Sequence, residues 1–146
     1  MSILATNKQA LFDYNILENW EAGIELTGDE VKSVKDGQIS LKESYVTVKK
    51  NELFLINANI APYKKSRDIR GYEPTKSRRL LLKKSEINRI IGLKTTQGLT
   101  VVPLKVYTKH HWIKLEIGLG KGKKKFEKKD LIKKRDLERE IRREEF

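Results

Sequence analysis

The apolar residues of this chain come in short runs, and no other feature constrains its fold as much. No stretch approaches the roughly 20 apolar residues that would span a bilayer. Within residues 1–120 no strand-like run is followed by a pattern long enough for a crossover helix. A core made from such pieces has to be assembled from many short strands.

The pieces can be placed along the chain. Tyr14 and Ile16, with Phe12, alternate with polar neighbours and predict a first strand; Gly23 breaks the run, and Ile24-Glu25-Leu26 predicts another short strand. Thr27-Gly28-Asp29-Glu30 is a helix start, with Thr27 or Asp29 as cap and acids in the first turn, where the helix dipole favours them. That helix carries Val31 and Val34 and stops at Gly37. Residues 44–48 and 53–56 are strand-like, joined by a hairpin turn at Lys49-Lys50-Asn51-Glu52. Leu80-Leu81-Leu82 is a compact apolar stretch. A short helix then opens at Ser85-Glu86-Ile87, places Ile87, Ile90 and Ile91 on one side, and ends at Gly92. Residues 99–107 and 113–119 are the clearest strands. Pro103 demands an edge or a bulge in the first, and His110-His111 form the turn between them. The one long connection, residues 62–79, holds seven basic residues against two acidic ones. A loop of that length inside a compact domain is usually functional or disordered. Six or more short strands with two or three short helices predict a mainly β, α+β chain folded as a small barrel.

Charge points to the partner. The formal net charge of +12 over 146 residues implies a polyanion: nucleic acid, an anionic membrane or an acidic protein. Residues 121–146 carry 12 Lys/Arg against 7 Asp/Glu, while residues 1–120 carry 20 against 13, so the tail is more than three times as dense in net charge. Its apolar residues, Phe126, Leu131, Ile132, Leu137, Ile141 and Phe146, are too few for a core. The chain therefore divides into a domain over 1–120 and a basic tail over 121–146. Asp130–Lys134 and Glu138–Arg142 are i,i+4 pairs in the favourable order, worth about 0.2–0.5 kcal/mol each. A helix so poorly packed is marginal alone in water, which predicts a tail frayed when free and helical against a polyanionic surface.

Catalytic signals are poor. There is no cysteine, which excludes disulfides and thiolate metal sites. Two adjacent histidines on a strand would point to opposite faces and cannot share a site. No nucleophile elbow or triad pattern is present. Gly118-Leu119-Gly120-Lys121-Gly122-Lys123-Lys124 lacks the Ser or Thr of a Walker loop, and it leaves a strand rather than opening a helix within a βαβ unit. Two readings remain for it: a flexible exit that brings backbone and lysines to a phosphate, or a solvated linker. Glu21 could accept hydrogen bonds from base amino groups or ribose hydroxyls; the residues alone favour an ion pair with a nearby lysine. Tyr63, Tyr72 and Trp112 could stack on bases, and Trp112 is read as buried. The first ten residues hold no apolar run long enough for a signal peptide. The expectation is a soluble cytoplasmic monomer that is not an enzyme, with no metal, cofactor, membrane contact or small-molecule substrate.

Several runs resemble the SmpB family of SsrA-binding proteins: Asn7-Lys8, Glu21-Ala22-Gly23-Ile24 with Leu26-Thr27-Gly28, Glu30-Val31-Lys32-Ser33 and Ser44-Tyr45-Val46. Asn59-Ile60-Ala61-Pro62-Tyr63, Arg78-Arg79-Leu80-Leu81-Leu82, Val101-Val102-Pro103-Leu104 and Lys121-Gly122-Lys123-Lys124 continue the likeness in order. The resemblance implies an oligonucleotide-binding (OB) type β-barrel with flanking helices. It also implies binding of the tRNA-like domain of transfer-messenger RNA (tmRNA) and trans-translation, the rescue of ribosomes stalled on messages without a stop codon. The RNA contacts it implies are Asn7, Lys8, Glu21, Lys32, Arg78, Arg79, Leu81, Lys83 and Lys114, with Lys121, Gly122, Lys123 and Lys124 at the tail entrance. Lys83 stands where some relatives carry asparagine, which keeps a donor and loses an acceptor. The family tail is implied to become helical on the ribosome, in the decoding centre and the empty mRNA channel, through Phe126, Glu127, Lys128, Lys129, Lys133, Lys134, Arg135, Leu137, Arg139, Arg142 and Arg143. The rival readings are a general single-strand RNA-binding barrel and, less favoured, a nuclease-type enzyme.

Overall fold

The computed structural model describes residues 1–66 and 70–144, with side-chain surroundings on the last helix described as far as Arg139. The elements follow in the order β1 (Ser2–Thr6), α1 (Lys8–Asp13), β2 (Tyr14–Ile24), α2 (Gly28–Lys35), β3 (Ile39–Ser40), β4 (Tyr45–Lys49), β5 (Glu52–Ile56), β6 (Asn59–Ile60), β7 (Arg78–Leu81), α3 (Lys84–Gln97), β8 (Thr100–Lys109), β9 (Trp112–Gly122) and α4 (Lys125–Glu144). The fold is mainly β with four helices, an α+β arrangement.

Seven strands form one antiparallel sheet in the order β1-β8-β9-β2-β7-β5-β4, and β3 and β6 pair separately. The sheet curls so that β4 approaches β8 and β1 approaches β3. Its inner face is filled by alternate residues, among them Ala22 on β2, Leu53 and Leu55 on β5, Leu80 on β7, Val106 on β8, and Leu115 and Ile117 on β9. Val34 of α2 and Ile90 of α3 are added to this core.

Local chemistry explains most of the elements. Thr27 caps α2 through a full capping box: its Oγ1 accepts from the Glu30 amide at 3.2 Å, and Glu30 Oε1 accepts from the Thr27 amide at 3.0 Å. Gly37 follows α2 at φ +78°, where a side chain would be strained. The two tight hairpins turn on Lys50-Asn51 and His110-His111, all four residues having positive φ, which matches the right-handed strand twist. Pro103 lies inside the sheet, and the ladder absorbs it as a bulge between Pro103 and Lys105.

Two expectations are corrected, and two elements had no signal in the sequence. Gly23 does not break a strand: β2 runs through it, because a side chain there would crowd Leu81 Cβ at 3.2 Å on the neighbouring β7. α3 does not end at Gly92 but continues to Gly98, which takes φ +63°; Gly92 is exposed and costs the helix only about 1 kcal/mol of propensity. β1 and α1 lacked a sequence signal. β1 is an edge strand whose Ile3 is exposed, so it shows no alternation; α1 is short and capped by Asn7 Oδ1, which accepts from the Ala10 amide at 3.2 Å. The boundary at residue 120 falls inside β9, which continues to Gly122 before α4 begins.

A buried ion pair ties the two sides of the sheet to α2. Arg78 and Glu30 are each 2% exposed. Glu30 Oε2 accepts from Arg78 Nε at 2.8 Å and lies 2.8 Å from Nη2. The remaining guanidinium donors reach the carbonyls of Ala58 (2.9 Å), Lys76 (3.2 Å) and Pro74 (3.0 Å) and the Tyr72 hydroxyl (3.2 Å). Burial alone would push the Glu30 carboxyl up. The Thr27 amide, the Arg78 guanidinium and the Lys76 charge outweigh burial and hold it below its ordinary value of 4.5. Its contribution to stability is therefore complete above pH 4.5 and is lost as pH falls through its lowered folded value. Glu30→Gln should destabilise the protein at neutral pH by about 3–5 kcal/mol, because Arg78 is left buried and uncompensated. In denaturant titrations at stepped pH, the gap between wild type and variant should shrink below pH 4. A constant gap would mean that the charge of Glu30 contributes nothing.

Candidate nucleic-acid interface

Strand alternation gathers three of the expected contacts on one outer surface, and a fourth follows close behind in sequence. On β9, Ile113 and Leu115 point into the core, so Lys114 points out. Lys114 is the cross-strand partner of Gly23 on β2, and Gly23 is the partner of Leu81 on β7. The three form a row in which the exposed Leu81 side chain leans over the glycine, its Cδ1 3.5 Å from where a Cβ on Gly23 would stand. Glu21, two residues before Gly23 on β2, faces the same way. Lys83 follows Leu81 at the N-terminus of α3, where the Glu86 carboxylate accepts from its backbone amide at 3.0 Å.

Two residues outside the expected set control Glu21. Its Oε2 accepts from the Tyr107 hydroxyl at 2.5 Å and lies 3.5 Å from Lys109 Nζ. The Tyr107 hydrogen bond and the Lys109 charge hold the Glu21 carboxyl below its ordinary value despite partial burial. Burial and the carboxylate push the Tyr107 phenol up. At neutral pH Glu21 is an acceptor with its two described contacts on one oxygen. The register between residues 99–107 and 113–119 could have revealed this pair, since Tyr107 opposes Lys114 on the same face.

Other expected contacts lie elsewhere or are already engaged. Arg78 is withdrawn from the RNA set: its side chain points inward, and every guanidinium nitrogen has a partner within the protein. Arg79 points outward but pairs with Glu52 at 2.8 Å and Glu25 at 3.8 Å. Lys32 lies on α2, its Nζ 5.4 Å from the centre of the Tyr63 ring. Asn7 donates from Nδ2 to the Pro103 carbonyl at 2.9 Å while capping α1, and Lys8 beside it is exposed. Tyr72 is also structural, donating to the Ile60 carbonyl at 2.9 Å. Arg67 of the long loop lies outside the described residues.

The Gly118–Gly120 stretch is not a flexible exit. A Cβ at Gly118 would stand 2.9 Å from Ile16 Cγ2 and Leu104 Cδ1, and one at Gly120 would stand 2.8 Å from the Asn15 carbonyl oxygen. These glycines are spaces into which β2 and β8 pack. Lys121 and Gly122 close the β2–β9 ladder opposite Asn15 and Tyr14. Lys121 is seven residues from Lys114 along β9, about 23 Å at the usual rise per strand residue, so the tail root and the Lys114 face are separate places.

From that root α4 leaves along α1. The Lys123 amide donates to the Asp13 carbonyl at 2.7 Å, and Lys123 Nζ to the Leu11 carbonyl at 3.2 Å. Lys128 pairs with Asp13 at 3.1 Å, Asn15 Nδ2 donates to Glu127 Oε2 at 2.9 Å, and the Arg135 guanidinium stands 5.5 Å from the centre of the Phe12 ring. Glu127 Oε1 accepts from the Lys124 amide at 3.3 Å. Phe126, Lys129, Lys133, Lys134, Leu137 and Arg139 face solvent. Arg142 and Arg143 lie beyond the last described side chain. Among the described residues no three His, Cys, Asp or Glu side chains are grouped as a metal site, and no helix is long and apolar enough to cross a membrane.

The family model described as SmpB protein matches residues 4–145. An SsrA-binding protein of Trichodesmium erythraeum is 46% identical over 141 residues, covering 97% of this chain and 90% of that one. One from Mesoplasma florum is 49% identical over 137 residues, covering 94% and 92%. A chain solved in a structure of tmRNA and SmpB in the bacterial ribosome superposes with a TM-score of 0.65 at 42% identity, covering 82% of this chain and 84% of that one.

The contacts that steer α4 can be removed without touching the core. Asp13→Ala combined with Asn15→Ala should speed amide hydrogen exchange across residues 125–135 and leave β8 and β9 unchanged. Equal exchange in variant and wild type would show that these contacts do not hold the helix.

Proposed function

The chain belongs to the SmpB family, and from that premise we propose that it is a tmRNA-binding factor of trans-translation. The surface around Glu21, Leu81, Lys83 and Lys114 grips the tRNA-like domain of tmRNA. Lysines neutralise phosphates, the Glu21 carboxylate accepts from base or ribose donors, and the exposed Leu81, leaning over Gly23, offers the RNA an apolar contact. The curled sheet is an OB-type barrel, the class of scaffold that presents such a face. The protein acts in the cytoplasm by binding rather than by catalysis.

The second half of the activity belongs to the tail. Delivered to a stalled ribosome with the RNA, the basic segment enters the decoding centre and the empty mRNA channel, where ribosomal RNA stabilises it as a helix. The outward residues of α4 carry this contact: Phe126, Lys129, Lys133, Lys134, Leu137 and Arg139. Glu127 and Lys128 help set its direction through Asn15 and Asp13.

One observation carries the reading: the Lys114–Gly23–Leu81 row, with an ionised Glu21 beside it, stands about 23 Å along β9 from the root of a separate basic helix. The protein should bind the isolated tRNA-like domain more tightly than an unrelated single strand. Lys114→Ala should flatten the log–log salt slope by roughly 0.7–0.9, one phosphate contact. Removing residues 125–146 should leave that RNA affinity within a few-fold and abolish tagging on stalled ribosomes. Equal affinity for any single strand would indicate a general RNA-binding barrel. Tagging that survives the truncation would remove the tail from the mechanism.

A further inference from the structure

Trp112 was expected to be buried at least in part, yet it is 71% exposed. It opens β9, and alternation puts it on the same outer side as Lys114 and Glu116, while Ile113, Leu115 and Ile117 are buried. Its cross-strand partner is Lys109, the last residue of β8. The turn between them is the two-residue His110-His111 hairpin with φ of +49° and +68°, so the indole sits at the end of a closed ladder and not on a loose loop.

A tryptophan left this bare forgoes most of the burial that makes the residue useful inside a protein. A single exposed aromatic is not itself a site, but beside cationic side chains it is the stacking platform that unpaired bases use. Lys109 lies across the ladder and Lys114 two residues along it. The nearby carboxylates are occupied: Glu21 by Tyr107 and Lys109, and Glu116 by Lys105 at 3.3 Å and Asn19 at 3.2 Å. An indole face flanked by two ammonium groups, Lys114 and the Glu21-paired Lys109, suits a flat, neutral ring carried on an anionic backbone. Trp112 stands two residues along β9 from Lys114, about 7 Å at the usual rise, to one side of the Lys114–Gly23–Leu81 row, so RNA seated on Lys114 has the indole within reach.

We propose that Trp112 is a base-stacking residue that takes an unpaired nucleobase of the RNA held on the Lys114 face. This rests on the RNA-binding reading above and adds a contact at the hairpin end of the same surface. The base must be unpaired, from a loop or an end of the folded RNA, because a base inside a duplex has both faces covered.

The test measures binding of the tRNA-like domain to the full chain and to the variants Trp112→Ala, Trp112→Phe and Lys114→Ala, over a range of salt. Trp112→Ala should lose about 5- to 150-fold in affinity, the size of one base–aromatic stack. Its salt slope should match wild type, because no phosphate contact is removed. Trp112→Phe should recover most of the loss. Lys114→Ala should change the slope. The emission lost between wild type and Trp112→Phe reports on Trp112, and saturating RNA should shield it from acrylamide. If wild type binds the RNA and Trp112→Ala binds equally tightly, or if the indole stays open to acrylamide, the stacking role is wrong while the functional reading stands. If wild type does not bind the RNA, the functional reading fails and this proposal with it. If Trp112→Ala loses affinity for vesicles containing anionic phospholipid and none for RNA, the partner of Trp112 is a membrane and the proposal is overturned.

Discussion

The fold turns on one buried carboxylate–guanidinium pair. Taking Glu30 and Arg78 out of water carries a desolvation cost that their mutual attraction offsets only when the remaining donors are also satisfied. The protein meets that condition by bringing to one point the N-terminus of α2, the carbonyl of Ala58, the carbonyls of Lys76 and Pro74, and Tyr72. These groups come from segments far apart in sequence, so the pair cannot form unless β7, α2 and the segment leading into β7 are all in place. A four-residue strand such as β7 has little intrinsic preference for its register. With Arg78 locked inward, Leu80 must also point in, and Arg79 and Leu81 must point out. The position of Leu81 beside Gly23 is thus fixed from the interior side of the sheet.

That dependence explains what the sequence could and could not reveal. Features with a local cause were legible. The capping box at Thr27 and Glu30, the Lys50-Asn51 and His110-His111 turns and the alternation along β5, β8 and β9 depend on residues a few positions apart. Features with a distant cause were not. Arg78 next to Arg79 reads as a basic patch, and only Glu30, 48 residues earlier, makes one of the two a core residue. Gly118 and Gly120 read as flexibility until Ile16, Asn15 and Leu104 are placed against them. Trp112 has the residue type of a core position but shares the outward alternation of Lys114 and Glu116, so the strand period and not the side chain told its place. The face formed by Glu21, Leu81, Lys83 and Lys114 was assembled from the family resemblance alone. The structure adds a geometric account of it, through the pairing register of three strands.

Net charge was a blunt guide for a similar reason. An excess of +12 announces a polyanion, but much of the charge in the suspected sites is committed within the molecule. Arg78 holds the core, Arg79 serves Glu25 and Glu52, and Lys128 serves Asp13. A phosphate must compete with a carboxylate for each of these. Lys8, Lys83, Lys121 and the outward lysines of α4 have no such competitor among the described ion pairs. An electrostatic footprint is better drawn from uncommitted charges than from all charges, and drawn that way it separates into the sheet face and the outer side of the helix.

The contrast between the two kinds of ion pair suggests how a rigid grip and a movable probe coexist in one chain. The Glu30–Arg78 pair is enclosed, so breaking it strands a charge in the interior, and the sheet face it supports cannot drift. The pairs that steer α4 are solvent-exposed, and such pairs contribute little to stability because water and salt replace them readily. A dense array of phosphates can therefore take Lys128 from Asp13 at small cost, and the helix can be redirected without disturbing the strands from which it springs. The packed glycines at 118 and 120 hold the end of β9 against β2 and β8, so the strand that carries Lys114 is anchored independently of the contacts that steer α4.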